Sequence, residues 1–173
     1  MSGISKKLIL LTAVMIMLGL FGCNKTKKLD INDFKGSEPN TMLADYYERA
    51  AGMEEKQPYY ELVMYTYSDS QVLLEEYRNG DTDEEELYRY LVPTEAAQEV
   101  FDIIRETGMD EWNSREKDMT ALDGMAYVVK FPDGKGDYQR VTSDHMPEDG
   151  NRAFGTVKVT MSKYLKDEYL TED

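Results

Sequence analysis

Histidine and cysteine, which serve both as zinc ligands and in nucleophilic catalysis, occur once each in this chain. His145 is the single histidine and Cys23 the single cysteine among 173 residues. A Ser-His-Asp triad would have to use His145, which lies in the polar segment SDHMP, and no serine stands in a GxSxG sequence. One histidine and one cysteine also exclude an internal disulfide, a Cys/His zinc site and a CxxC pair. The sequence therefore favours a surface role for His145 and names no catalytic residue.

Acidic side chains are the second candidate for chemistry. The chain has 34 Asp and Glu against 20 Lys and Arg, a net charge of −14. Paired carboxylates catalyse glycoside hydrolysis when their carboxyl groups lie roughly 5–9 Å apart, but with so many acids such pairs arise by chance. The excess negative charge repels phosphate backbones, so we expect no nucleic-acid partner. A solvated acidic surface is the simpler interpretation.

Two acidic loops have the composition of calcium sites. In residues 79–86 (NGDTDEEE), the sixth position, where an EF-hand loop needs glycine, is Glu84. Residues 133–137 (DGKGD) are rich in glycine and acid, but hairpin turns use the same residues to reach positive φ. The chain also has no GxGxxG or P-loop sequence. We therefore predict no metal site and no cofactor.

The first 22 residues have the composition of an export signal. Lys6 and Lys7 precede 15 residues without a charge, LILLTAVMIMLGLFG. As a helix this run would extend roughly 22 Å, less than the ~30 Å hydrocarbon core of a bilayer. A short apolar run behind basic residues is typical of a cleaved signal peptide, and an uncleaved anchor helix is the alternative.

The end of this leader, Leu20-Phe21-Gly22-Cys23, resembles the lipobox of bacterial lipoproteins, which has an aliphatic residue at −3, a small residue at −1 and cysteine at +1. The resemblance implies a diacylglyceryl group on the Cys23 thiol and removal of residues 1–22. Because each buried methylene contributes ~0.8 kcal/mol, two acyl chains hold a protein stably on a membrane. The lysines of residues 24–28 (NKTKK) would add attraction to anionic head groups.

The segment that follows is predicted to connect this anchor to the folded part. Residues 23–57 are assigned to the lipidated N-terminus and a tether, because residues 29–41 are polar with Gly and Pro. Leu43, Tyr46, Tyr47, Ala50 and Ala51 recur at helical spacing, so a short helix is predicted over residues 41–52, either docked on the domain or part of the tether.

The remaining residues, 58–170, are predicted to form a single α+β domain. Alternating apolar residues and turn signals predict three strands of an antiparallel meander at 59–67, 71–78 and 87–92. A helix then begins at Pro93-Thr94 and ends before Gly108, with Ala97, Val100, Phe101 and Ile104 on its apolar face. A hairpin of strands 125–131 and 138–142 and an amphipathic helix over 148–169 complete the order, with the helices packed on one face of the sheet.

These features predict a non-enzymatic binding or accessory module, lipid-anchored through Cys23 on the extracytoplasmic face of the cell membrane. Its acids favour a protein, a basic peptide or a cation as partner. The thirteen tyrosines suit a recognition surface, although sheets favour tyrosine for packing alone. The alternative is a cell-envelope hydrolase that uses paired carboxylates. The globular part resembles small bacterial lipoproteins of unknown function, and that resemblance brings no site residues.

Overall fold

The structure is a computed structural model that describes residues 29–50, 59–79, 85–112, 124–143 and 150–171. These residues form six strands and two α-helices: β1 Met42–Ala50, β2 Tyr60–Thr66, β3 Gln71–Asn79, β4 Glu85–Pro93, α1 Glu95–Glu106, β5 Met125–Pro132, β6 Tyr138–Thr142 and α2 Asn151–Ser162. Three short 3-10 helices lie at Ile31–Phe34, Met109–Glu111 and Asp167–Tyr169.

The strands form one antiparallel sheet in the order β4-β3-β2-β1-β5-β6. The predicted α+β class is confirmed, as are the meander β2–β4, the hairpin β5–β6 and the helix that follows each of them. Both helices pack on the same side of the sheet. Their buried residues, such as Phe101 and Phe154, join Tyr46, Leu62 and Val129 in one hydrophobic core.

The helix predicted over residues 41–52 is wrong, because Met42–Ala50 is a strand. It is the central strand β1, paired with β2 on one side and β5 on the other. The residues from Leu43 to Tyr47 are all buried, since both faces of a central strand are covered by side chains. That burial removes the apolar–polar alternation by which strands are recognised and leaves a spacing that resembles a helix.

The predicted tether is corrected in the same region. Leu29, Ile31 and Phe34 pack against the core, and the Phe34 and Phe101 ring centroids are 5.8 Å apart. The folded unit therefore includes residues 29–50 and does not begin at residue 58.

The helix boundaries follow local chemistry. Gly108, directly after the C-cap of α1, has φ +72°, the left-handed conformation that glycine adopts at helix ends. The predicted helix over 148–169 is shorter in the structure, where α2 ends at Ser162. The chain then returns to the sheet edge, where the Thr171 amide donates to the Arg89 carbonyl of β4 at 2.8 Å.

Candidate functional site

The sheet face opposite the two helices carries a dense set of polar and aromatic side chains. Cross-strand register places them in two neighbouring rows that run across all six strands. We call these twelve residues the open face because neither α-helix covers them, although the central members Asp45, Tyr47, Val63, Glu75 and Val128 are themselves buried. In strand order from β6 to β4, the first row is Arg140, Lys130, Asp45, Val63, Glu75 and Arg89, and the second is Thr142, Val128, Tyr47, Glu61, Tyr77 and Leu87.

Asp45 and Glu61 form a carboxyl pair near the centre of the open face. Asp45 is only 4% exposed, and its side chain shares a hydrogen bond with that of Glu61 on the neighbouring strand. Burial, followed by the charge and hydrogen bond of Asp45, raises the pKa of Glu61 to about 7. Lys130 Nζ lies 3.6 Å from Asp45 Oδ2 and moderates this effect. Since two carboxylates cannot share a hydrogen bond without a proton, the pair holds one below about pH 7.

A second acid on the open face is held by two donors. Tyr77 donates its hydroxyl to Glu75 Oε2 at 3.0 Å, and Arg89 Nε donates to Glu75 Oε1 at 2.9 Å. Burial and this hydrogen bond raise the pKa of Tyr77 to about 12, so its phenol remains a donor at neutral pH. Burial and then the nearby acids likewise raise the pKa of Tyr65 to about 12.

A different acidic cluster lies on the helix-covered face. Glu76 is 1% exposed and accepts hydrogen bonds from the Tyr60 hydroxyl at 3.0 Å and the Tyr90 hydroxyl at 3.3 Å. Arg78 forms a bidentate pair with it, with Nε and Nη2 each 3.0 Å from a carboxylate oxygen. Glu76 thus joins β2, β3 and β4 through Tyr60, Arg78 and Tyr90, which is a role in stability.

Two clefts lie at the end of the sheet where residue 29 joins the core. One, of about 430 Å³, is lined by Ile31, Lys35, Asp69, Glu95 and Gln98 among others. The second, of about 280 Å³, includes Leu29, Phe34, Pro132 and Tyr138 in its lining. Neither is lined by Asp45 or Glu61.

Most residues singled out from the sequence lie outside the described ranges: Cys23, His145 and residues 80–84. The 133–137 loop is described, and Asp133 Oδ1 accepts the amides of Lys135 at 2.7 Å and Asp137 at 3.1 Å. These backbone bonds lower the pKa of Asp133 and serve the turn. Within the described ranges, no three Asp, Glu, His or Cys side chains are grouped as metal ligands.

The sequence did not identify Asp45 and Glu61 as candidate site residues. Asp45 was placed in a predicted helix, and Glu61 was an unremarked acid in a strand. The one available signal was an acid within each of two apolar stretches, MLADYY and YYELVMY. An acid inside such a stretch is costly to bury unless it finds a partner.

No protein-family model, curated protein or solved structure matches this chain. Among the described helices, none is both long and apolar enough to cross a membrane.

Proposed function

We propose that this protein is a lipid-anchored, extracytoplasmic binding module that performs no catalysis. Its anchor is the acylated Cys23, and its recognition surface is the open face. The observation that carries the binding role is the carboxyl pair Asp45–Glu61, set among tyrosines on a broad sheet face. Tyrosine offers large contact area at small entropic cost, which suits recognition.

The partner we propose is a protein or peptide that presents a lysine or arginine side chain. A cation beside the pair replaces its proton, because the positive charge favours the ionised form of Glu61. The rings of Tyr65 and Tyr77 lie half-buried on the same side of the sheet, and aromatic rings attract cations through their faces. Lys130 Nζ, 5.0 Å from the Tyr47 ring centroid, is an internal example of this contact.

Carbohydrate hydrolysis by this pair is disfavoured by its geometry. The Asp45 and Glu61 carboxyl groups share a hydrogen bond directly. Glycoside hydrolases hold their carboxyl groups roughly 5–9 Å apart, which leaves room for the sugar or for water. Binding is therefore the function that the pair supports best.

Titration calorimetry with an oligolysine peptide tests the binding role, using the full chain in detergent at pH 6 and pH 8. We expect binding to be up to about tenfold tighter at pH 8, because a group with a pKa of about 7 is mostly protonated at pH 6. Glu61→Gln should remove this pH dependence. Glu106→Gln, an exposed position on α1, is the matched control. Equal binding by the wild type and both variants would contradict the proposed role of the carboxyl pair, because it would show that the peptide is attracted by the acidic surface in general.

The anchor has its own test. Cys23→Ser should abolish incorporation of labelled fatty acid and release the protein from acyl-dependent attachment to membranes. Unchanged labelling in this variant would contradict the lipobox.

A further inference from the structure

The chain enters the folded domain at a defined end of the sheet. Leu29 and Phe34 pack on the core, and the Ile31 amide donates to Gln98 Oε1 of α1 at 3.0 Å. Leu29 also lines the smaller cleft together with Gly134 and Gly136 of the β5–β6 turn. The first described residue is thus fixed beside the β5–β6 turn and the start of α1.

We infer that this end of the domain faces the membrane and that the partner of the open face engages within roughly 40 Å of the lipid surface. The inference rests on the proposed lipid at Cys23. Six residue steps separate Cys23 from Leu29, and even a fully extended chain of that length spans only about 20 Å. The segment that connects Cys23 to the folded domain is therefore short.

The opposite end of the sheet lies far from the membrane-facing end. β1 runs from Met42, near the membrane-facing end, to Ala50, and eight steps at about 3.3 Å per residue make roughly 26 Å. Glu86, in register with Arg78 and through it with Tyr60 and Glu48, marks this far end. Asp45 is three steps from Met42, about 10 Å along the strand.

Charge keeps the membrane-facing end from lying flat on lipid. The turns, 3-10 helix and start of α1 at this end carry more acids than bases: Asp30, Asp33, Glu38, Asp69, Glu95, Asp133 and Asp137 against Lys35 and Lys135. Anionic head groups repel such a surface. In the sequence, Lys25, Lys27 and Lys28 lie between the acylated cysteine and this acidic end of the domain. Their positive charges attract both the anionic head groups and the acidic side chains.

For function, the short tether limits how far from the membrane a partner of the open face can engage. Glu61 is in register with Tyr47, five strand steps from Met42, so the tether span and these steps together keep the carboxyl pair within roughly 40 Å of the bilayer. A partner of the open face therefore engages close to the lipid surface, within reach of proteins anchored in the same membrane.

Energy transfer to a lipid-borne acceptor tests this arrangement. The full chain with its lipid is reconstituted in vesicles of phosphatidylcholine and phosphatidylglycerol, and acylation of Cys23 is verified by mass. A donor dye is attached at Lys135→Cys on the membrane-facing turn or at Glu86→Cys at the far end, where both positions are exposed. We expect severalfold more efficient transfer from position 135.

A matched control inserts a flexible Gly/Ser segment of about 20 residues after Lys28. It should make transfer from both positions weak and similar, because the longer linker no longer restrains the domain. Equal transfer from both positions in the unaltered, acylated chain, or stronger transfer from position 86, would overturn the inference while leaving the anchor intact. An unmodified Cys23 would instead overturn the anchor and the inference together.

Discussion

Neighbouring acids of this domain have different roles because successive side chains of a strand point to opposite faces. Glu75 lies on the open face and pairs with Arg89, whereas Glu76 lies among tyrosines under the helices. Glu61 shares a proton with Asp45. Each role follows from the hydrogen-bond donors within reach.

Glu61→Gln should change how stability depends on pH. In the wild type, the native state retains a proton on Glu61 that the unfolded chain loses near pH 4.5, so stability falls as pH rises from about 4.5 to 7. Glutamine cannot ionise and can donate its amide hydrogen to Asp45. Because Glu61 is only partly buried, we expect a gain of about 1–2 kcal/mol at pH 8 and little change at pH 5.

The measurement is chemical unfolding of the full chain in detergent at both pH values, with Glu106→Gln as the exposed control. A variant that is equally stabilised at pH 5 and pH 8 would contradict the shared proton.

Glu76→Ala should destabilise the domain by about 3 kcal/mol. The substitution leaves the buried hydroxyls of Tyr60 and Tyr90 without their acceptor and removes the partner of Arg78. Glu86→Ala is the control, because Glu86 is exposed and, among the described residues, accepts a side-chain hydrogen bond from the Tyr88 hydroxyl at the surface. Urea unfolding measures both, and similar small losses would show that the cluster adds little stability.

At the scale of the elements, each helix has a glycine in a different position. Gly108 ends α1 with φ +72°, whereas Gly155 lies within α2, exposed and with open space around its Cα. A methyl group at Gly108 would meet nothing closer than Trp112 Nε1 at 3.9 Å, so any cost there is conformational.

Alanine at these two positions should act in opposite directions. Gly108→Ala is expected to cost about 1 kcal/mol, because L residues avoid the left-handed conformation. Gly155→Ala is expected to gain about 0.5–1 kcal/mol from better helix propensity. Thermal melting compares the two variants, and a stabilising Gly108→Ala would refute the assigned end of α1.

At the scale of the whole molecule, β1 holds the domain together. β5 pairs only with β1 and β6 among the described strands, so without β1 the β5–β6 hairpin has no pairing to β2–β4. The removal of β1 would also expose two long unpaired edges.

Two truncations should therefore behave differently. A chain that begins at Leu29 should retain the cooperative melting transition of the full chain, since the segments that pack on the core are present. A chain that begins at Pro58, the domain start predicted from the sequence, should show no cooperative transition. Circular dichroism on heating decides, and cooperative unfolding of the shorter chain would contradict the central role of β1.

The sequence by itself determined the elements whose patterns are local. The strands β2–β4, the glycine after α1 and the apolar stripe Ala97, Val100, Phe101 and Ile104 were predicted from neighbours in the chain, and the structure confirms each. The lipobox at Cys23 is local too and stays a prediction.

Only the tertiary structure decided that residues 42–50 form the central strand and that Asp45 meets Glu61. A strand buried on both faces loses its alternation, so its type depends on pairing with segments far away in the chain. The carboxyl pair follows from that register, because Asp45 and Glu61 become diagonal neighbours only once β1 lies beside β2.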